Sequence, residues 1–132
     1  MAQLPCENDA GRKESFVVQS HDPATGQRLW EDDYHVDEFG FFLWHALDIE
    51  AVGGRVFASG QETVNGMWLV RAYDASGGGV LWEDRVQPSG RGDYSYSVTQ
   101  ALAVDGGRVF VAGSGFNAAG NLDLIVRAYA AN

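Results

Sequence analysis

The chain repeats itself, and no other feature constrains its fold as strongly. Residues 16–30 read FVVQSHDPATGQRLW and residues 68–82 read WLVRAYDASGGGVLW, and the two align without a gap. Asp22 and Asp74 stand 52 positions apart, as do Trp30 and Trp82. A third copy opens at Leu124 with LIVRAYAAN, and Arg127 follows Arg71 by 56 positions. A second element, GGRVFASG at 53–60, returns as GGRVFVAG at 106–113, an offset of 53. Upstream of it, ALDIEAV (46–52) resembles ALAVD (101–105), in a register ambiguous by two residues.

The repeated segments read as strands. Trp68, Val70 and Ala72 alternate with Leu69, Arg71 and Tyr73, and the LIVRAY copy does the same. Apolar bulk on both faces is expected of a sheet sandwiched between neighbouring sheets. VGGR and DGGR place paired glycines between apolar runs, a hairpin signal. DPATG and DASGG are turns, in which Asp accepts from backbone amides and Gly takes positive φ. No stretch of 11 or more residues carries helical periodicity. One repeat is therefore four strands, expected at 46–52 (A), 55–59 (B), 68–74 (C) and 80–84 (D). The whole chain reads C-D, A-B-C-D, A-B-C, or nine strands. A unit of 52 to 56 residues built of several short strands lies near the period of antiparallel four-stranded β-propeller blades. The expected division is a polar leader at 1–15, a partial blade at 16–45, a blade at 46–97 and a partial blade at 98–132.

The pattern from Ala72 to Trp82, preceded by GGRVFASG, resembles the pyrroloquinoline-quinone-type (quinoprotein-like) propeller repeat. Asp22, Thr25, Gly26 and Trp30 match that repeat in the first copy. Asp74, Gly78 and Trp82 match it in the second, with Gly77 in place of the threonine, and the third copy stops at Ala130 where the Asp would stand. The resemblance implies that the Asp-to-Trp segment spans the turn from strand C to strand D and that the indole packs between blades. It also implies a periplasmic or secreted setting, although MAQLP before Cys6 is not a signal h-region. For quinone-dependent relatives it implies a tryptophan floor, a bound calcium ion and an adjacent Cys-Cys pair. Cys6 is the only cysteine, which excludes an intrachain disulfide. No cofactor is expected, because the motif packs blades and fold alone does not set function.

Charge narrows the partners. Nine Lys and Arg against 18 Asp and Glu give a net charge of −9. That balance opposes nucleic-acid binding and docking on anionic lipid. No apolar run reaches the roughly 20 residues that span a bilayer. No catalytic constellation emerges: there is no nucleophile elbow and no phosphate loop. His21, His35 and His45 lack the spacing of a metal set, and no metal site is expected. His21 aligns with Tyr73 and is expected between blades. The acidic run EDDYHVDE (31–38) offers oxygens to calcium only without ligand-loop spacing, so a solvated loop after strand D is expected. Arg91-Gly92-Asp93 is an integrin-type tripeptide treated as incidental.

Binding residues concentrate on loops held by a rigid scaffold. The D–A loops, near 33–45 and 85–98, and the B–C loops, near 61–66 and 114–122, emerge on one face of such a fold. Candidates there are Tyr34, His35, His45, Asn65, Tyr94, Tyr96 and Asn117, a mixture of aromatic and amide groups suited to a protein, peptide or sugar ligand. About two and a quarter blades per chain do not close a ring, so a terminal blade exposes an apolar face. The expectation is a non-catalytic scaffold or binding module, homo-oligomeric, its ring completed by other copies. The alternatives are a piece of a quinoprotein-like oxidoreductase and a small carbohydrate-binding propeller.

Overall fold

The structure, a computed structural model, describes residues 16–34, 44–62, 67–86, 98–117 and 119–132. Nine strands run through them: β1 (Phe16–His21), β2 (Arg28–Tyr34), β3 (Trp44–Val52), β4 (Arg55–Glu62), β5 (Met67–Asp74), β6 (Val80–Val86), β7 (Val98–Asp105), β8 (Arg108–Phe116) and β9 (Leu122–Ala130). They form three antiparallel sheets with strand orders β1-β2, β3-β4-β5-β6 and β7-β8-β9. This is the C-D, A-B-C-D, A-B-C reading of the repeat. The arrangement is propeller-like, and the three sheets do not close a ring.

Two details depart from the sequence reading. Strand D of the first sheet continues to Tyr34, so Glu31 to Tyr34 are strand rather than loop. The reason lies in the ladder: Phe16 to Gln19 pair with Tyr34 to Glu31 and carry the strand through the acidic run. His21, expected between blades, is exposed at the end of β1. Among the described residues no sheet packs on that face of β1. Residues 1–15 and 35–43 lie outside the described part, with Cys6, Asp37 and Glu38, and so does the tripeptide at 91–93.

The ambiguous register also resolves. Val52 pairs with Arg55 across Gly53-Gly54, and Asp105 pairs with Arg108 across Gly106-Gly107. All four glycines have positive φ, between 55° and 75°, as a two-residue hairpin of the primed type requires. The offset is therefore 53 throughout, and the match of ALDIE to ALAVD is a coincidence shifted by two. Each strand A also carries a bulge, between Ala46 and Asp48 in β3 and between Thr99 and Ala101 in β7. Bulges bend and twist a strand. The first of them presents Asp48, whose carboxylate accepts from the amide of Leu102 in the next sheet at 2.6 Å.

The core lies between the sheets. Trp68, Val70 and Ala72 turn one way and meet Leu102, Val109 and Val111 of the third sheet. Leu69 and Tyr73 turn the other way and meet Phe16 and Val18 of the first. The period of two in WLVRAY thus divides one strand between two interfaces. Each fully buried Trp, Tyr, Leu or Val there contributes ~1.5–3 kcal/mol of transfer free energy.

Candidate functional site

The turn after strand C is built by its aspartate. Asp22 Oδ1 accepts from the amides of Ala24 and Thr25 at 2.7 and 3.0 Å. Asp74 Oδ1 accepts from the amides of Ser76 and Gly77 at 2.8 and 3.0 Å, and from the Ser76 hydroxyl. The Thr25 amide first, then that of Ala24, holds the Asp22 carboxyl below its ordinary pKa. The Ser76 hydroxyl does the same for Asp74, followed by the Gly77 and Ser76 amides. Gly26 and Gly78 close the two turns at φ +73° and +72°. Thr25 Oγ1 accepts from the Gln27 amide at 3.2 Å. In the second copy Gly77 stands in the threonine position, and the added side-chain bond of that turn is the one from the Ser76 hydroxyl to Asp74.

Each turn delivers a tryptophan to the next sheet. Trp30 stacks on Tyr73 with centroids 5.8 Å apart, and Trp82 stacks on Tyr129 at 5.5 Å. The Trp30 N–H donates to the carbonyl of Ala75 at 2.9 Å. Its ring lies over Gly78, where a Cβ would sit 2.6 Å from the indole. Trp82 has a buried N–H with no partner among the described residues. The counterpart carbonyl, that of Ala131, accepts the Arg55 guanidinium instead.

Two residues beyond each tryptophan comes a carboxylate that clamps the same interface. Asp32 meets Arg71, and accepts from the Tyr73 hydroxyl at 2.8 Å. Asp84 meets Arg127 at 3.5 Å, and Arg127 Nε donates to the Tyr129 hydroxyl at 3.1 Å. Burial, then the bond to Asp32, pushes the Tyr73 phenol well above its ordinary pKa. Burial and Asp84 push Tyr129 to about 12. The unit is an Asp–Arg–Tyr clamp, repeated once per interface. Sequence reasoning marked the Trp and the turn Asp but missed this clamp. The signal was available, because RAY occurs in both later copies and WED in both earlier ones.

The candidate binding residues do not converge among the described residues. Tyr34 ends β2, half-buried, with the Arg71 guanidinium 4.5 Å from its ring centroid. His45 pairs with Gln61 in the β3–β4 ladder. Asn117 is bound within its own turn: its Oδ1 accepts from Ala119 and Asn121, and its Nδ2 donates to Asp123. His35, Asn65, Tyr94 and Tyr96 lie outside the described residues.

Among the described residues, the side chains that a quinone site would draw on are engaged elsewhere. Trp30 and Trp82 spend their faces on Tyr73 and Tyr129, and Trp68 is wholly buried between sheets. Asp32 of the acidic run is committed to Arg71 and Tyr73. Among the described residues no group of three or more His, Cys, Asp or Glu side chains is placed to hold a metal ion. No helix among them is long and apolar enough to cross a membrane.

A family model described as outer membrane protein assembly factor BamB, of the pyrroloquinoline-quinone-repeat type, matches residues 14–120. No match was found among curated proteins or among solved structures. The chain belongs to this family of β-propeller repeats.

Proposed function

We propose that this member of the family is a non-catalytic propeller-type scaffold that binds protein partners and assembles with copies of itself through its last sheet. One contrast within the chain supports the reading. Trp68, Val70 and Ala72 of β5 are fully buried because the third sheet covers them. Their counterparts on β9 have no cover among the described residues: Leu124 is 80% exposed and Val126 59%. The same face carries Phe110 and Ala112 of β8, opposite Ala128 and Val126.

A second copy suits this face for two reasons. The face continues an interface the chain already builds twice, between its first and second and between its second and third sheets. Its centre is also uncharged, so copies that each carry a net charge of −9 meet there without opposed carboxylates in contact. The family description names an assembly factor, which favours protein over small-molecule partners. Light scattering tests the proposal: the mass should be several times 14.3 kDa and should fall in Leu124→Lys. A folded monomer of 14.3 kDa overturns it.

A further inference from the structure

The two interfaces inside the array differ in what they bury. Between the first and second sheets the buried core is Phe16, Val18, Ala58, Leu69 and Tyr73, and the Tyr73 hydroxyl donates to Asp32. The second sheet also turns buried polar groups toward the third. The hydroxyls of Ser59 and Thr99, the Gln61 Oε1 and the Trp68 Nε1–H are closed to solvent and have no hydrogen-bond partner among the described residues. All four residues are more than nine-tenths buried. A buried polar group left unpaired costs free energy, so the groups call for a common partner.

Strand alternation gathers them in one gap. Along β4, Phe57, Ser59 and Gln61 share a face, and the ladder sets Ser59 opposite Val70 and Gln61 opposite Trp68. Phe57, Trp68 and Val70 belong to the core shared with the third sheet, so Ser59 and Gln61 face that sheet too. Across the gap Val109, Val111, Gly113 and Gly115 alternate as the buried face of β8, and Thr99 pairs with Gly113. The two strands start at the same end of the interface. Arg55, which opens β4, donates to the carbonyl of Ala131, and the Ala131 amide donates to Gly107, just before β8. Ser59 and Gln61 therefore lie toward the end of the gap that holds Gly113 and Gly115. Where Val109 and Val111 stand, apolar side chains from both sheets fill the space. The glycines contribute no side chain and leave room.

The chemistry of the set selects its occupant. The Trp68 N–H only donates, the Gln61 oxygen only accepts, and the two hydroxyls do either. None carries charge, so the set offers no counter-charge to an ion. Water both donates and accepts, and a buried water takes about three such partners. The other copies lack the indole: Phe16 and Leu124 stand where the second copy has Trp68. We propose that the gap between the second and third sheets holds a buried water site, in which Trp68 donates, Gln61 accepts, and the hydroxyls of Ser59 and Thr99 tie the two sheets together through shared water. Such a bridge is nearly as favourable as a direct hydrogen bond and fixes how the third sheet seats on the second. The site lies within one chain and does not depend on self-assembly.

Oxygen-17 relaxation dispersion of the solvent detects water held longer than the full chain takes to tumble. The unaltered chain should show such a water, and the double variant Ser59→Ala with Thr99→Val should lose it. Urea midpoints give a second reading, in which wet and dry sites have opposite signs. With water in the gap, Thr99→Val removes one of its partners and should lower the midpoint. With a dry, unpaired hydroxyl, Thr99→Val would raise it. Ser59 and Thr99 belong to different sheets and couple through the water between them, so the double variant should lose less than the two single losses added. A raised midpoint for Thr99→Val overturns the proposal, and so do additive losses. So does an oxygen-17 dispersion that the double variant leaves unchanged, which is the result if side chains of the chain itself close the gap.

Discussion

Gly78 and Gly26 form a matched pair that isolates the contact between the first two sheets. Both close the turn after a strand C, with φ of +72° and +73°. Alanine at either position pays the same conformational cost for a left-handed backbone, ~1–2 kcal/mol. Their surroundings differ. Nothing lies within 4 Å of a Cβ on Gly26, whereas a Cβ on Gly78 would lie 2.6 Å from Trp30 Cδ2 and 2.7 Å from its Cε3. The indole has no free direction to yield. It is stacked on Tyr73 and its N–H is bound to Ala75. Displacing it adds an overpacking cost of ~1–3 kcal/mol. Gly78→Ala should therefore lose ~2–5 kcal/mol and Gly26→Ala ~1–2 kcal/mol. Urea unfolding followed by tryptophan fluorescence and by circular dichroism measures both, with the shift in midpoint reporting the loss where the slope is unchanged. Equal midpoints for the two variants would refute the packing of Trp30 on Gly78, and with it the account of why the repeat keeps glycine there.

The clamp, the turns and the exposed face each give a further expectation. Arg71→Met strands Asp32 and Tyr73 in a closed interface and should cost ~2–4 kcal/mol, against ~1 kcal/mol or less for the more exposed Arg127→Met, as read by urea midpoints. The Asp22 and Asp74 pKa values are lowered on folding from 3.8, so their contribution is present above that value and is lost as pH falls through the folded values; Asp22→Asn and Asp74→Asn should flatten the acid limb of a stability profile. Tyr129 moves the other way, from 10.0 to about 12, so its contribution is complete below pH 10 and is lost as pH rises toward 12; Tyr129→Phe should flatten the alkaline limb, and an unchanged limb would refute the burial of its hydroxyl beside Asp84. Leu124→Lys should lower the scattered mass while leaving the far-ultraviolet spectrum unchanged, since the side chain is 80% exposed in the single chain.

The sequence made the fold readable because the repeat states each element two or three times. WLVRAY and LIVRAY specify the same strand with the same two faces, and the structure sends those faces to different interfaces. Strand ends were less legible. Asp33 and Tyr34 belong to β2 through their pairing with Val17 and Phe16, a long-range fact that polar composition hides. The clamp was missed because its members are 39 and 43 positions apart and each looks like surface charge when read alone. Only the comparison of copies shows that Arg71 and Arg127 keep one relation to Asp32 and Asp84. Loop candidates such as Tyr34 and Asn117 were chosen for side-chain chemistry, and the structure sets Tyr34 against Arg71 of the second sheet and binds Asn117 within its own turn.

The end faces of the array differ from its internal interfaces, and salt separates the two. Each internal interface pairs the Trp and Asp of strand D with the Tyr and Arg of the next strand C. The first sheet has Gln19 and His21 at the positions of Arg71 and Tyr73, so its outer face lacks the Tyr and Arg half. The third sheet has no strand D among the described residues, so its outer face lacks the Trp and Asp half there. Copies that meet through these faces therefore cannot use the clamp, and their contact must rest on apolar side chains such as Leu124 and Val126. Excluded salts such as sulfate strengthen apolar burial, and screening relieves the repulsion between acidic copies. The assembled mass should therefore hold or rise with sulfate. If the mass falls instead, the assembly is held by charge and the apolar account of the terminal face is wrong.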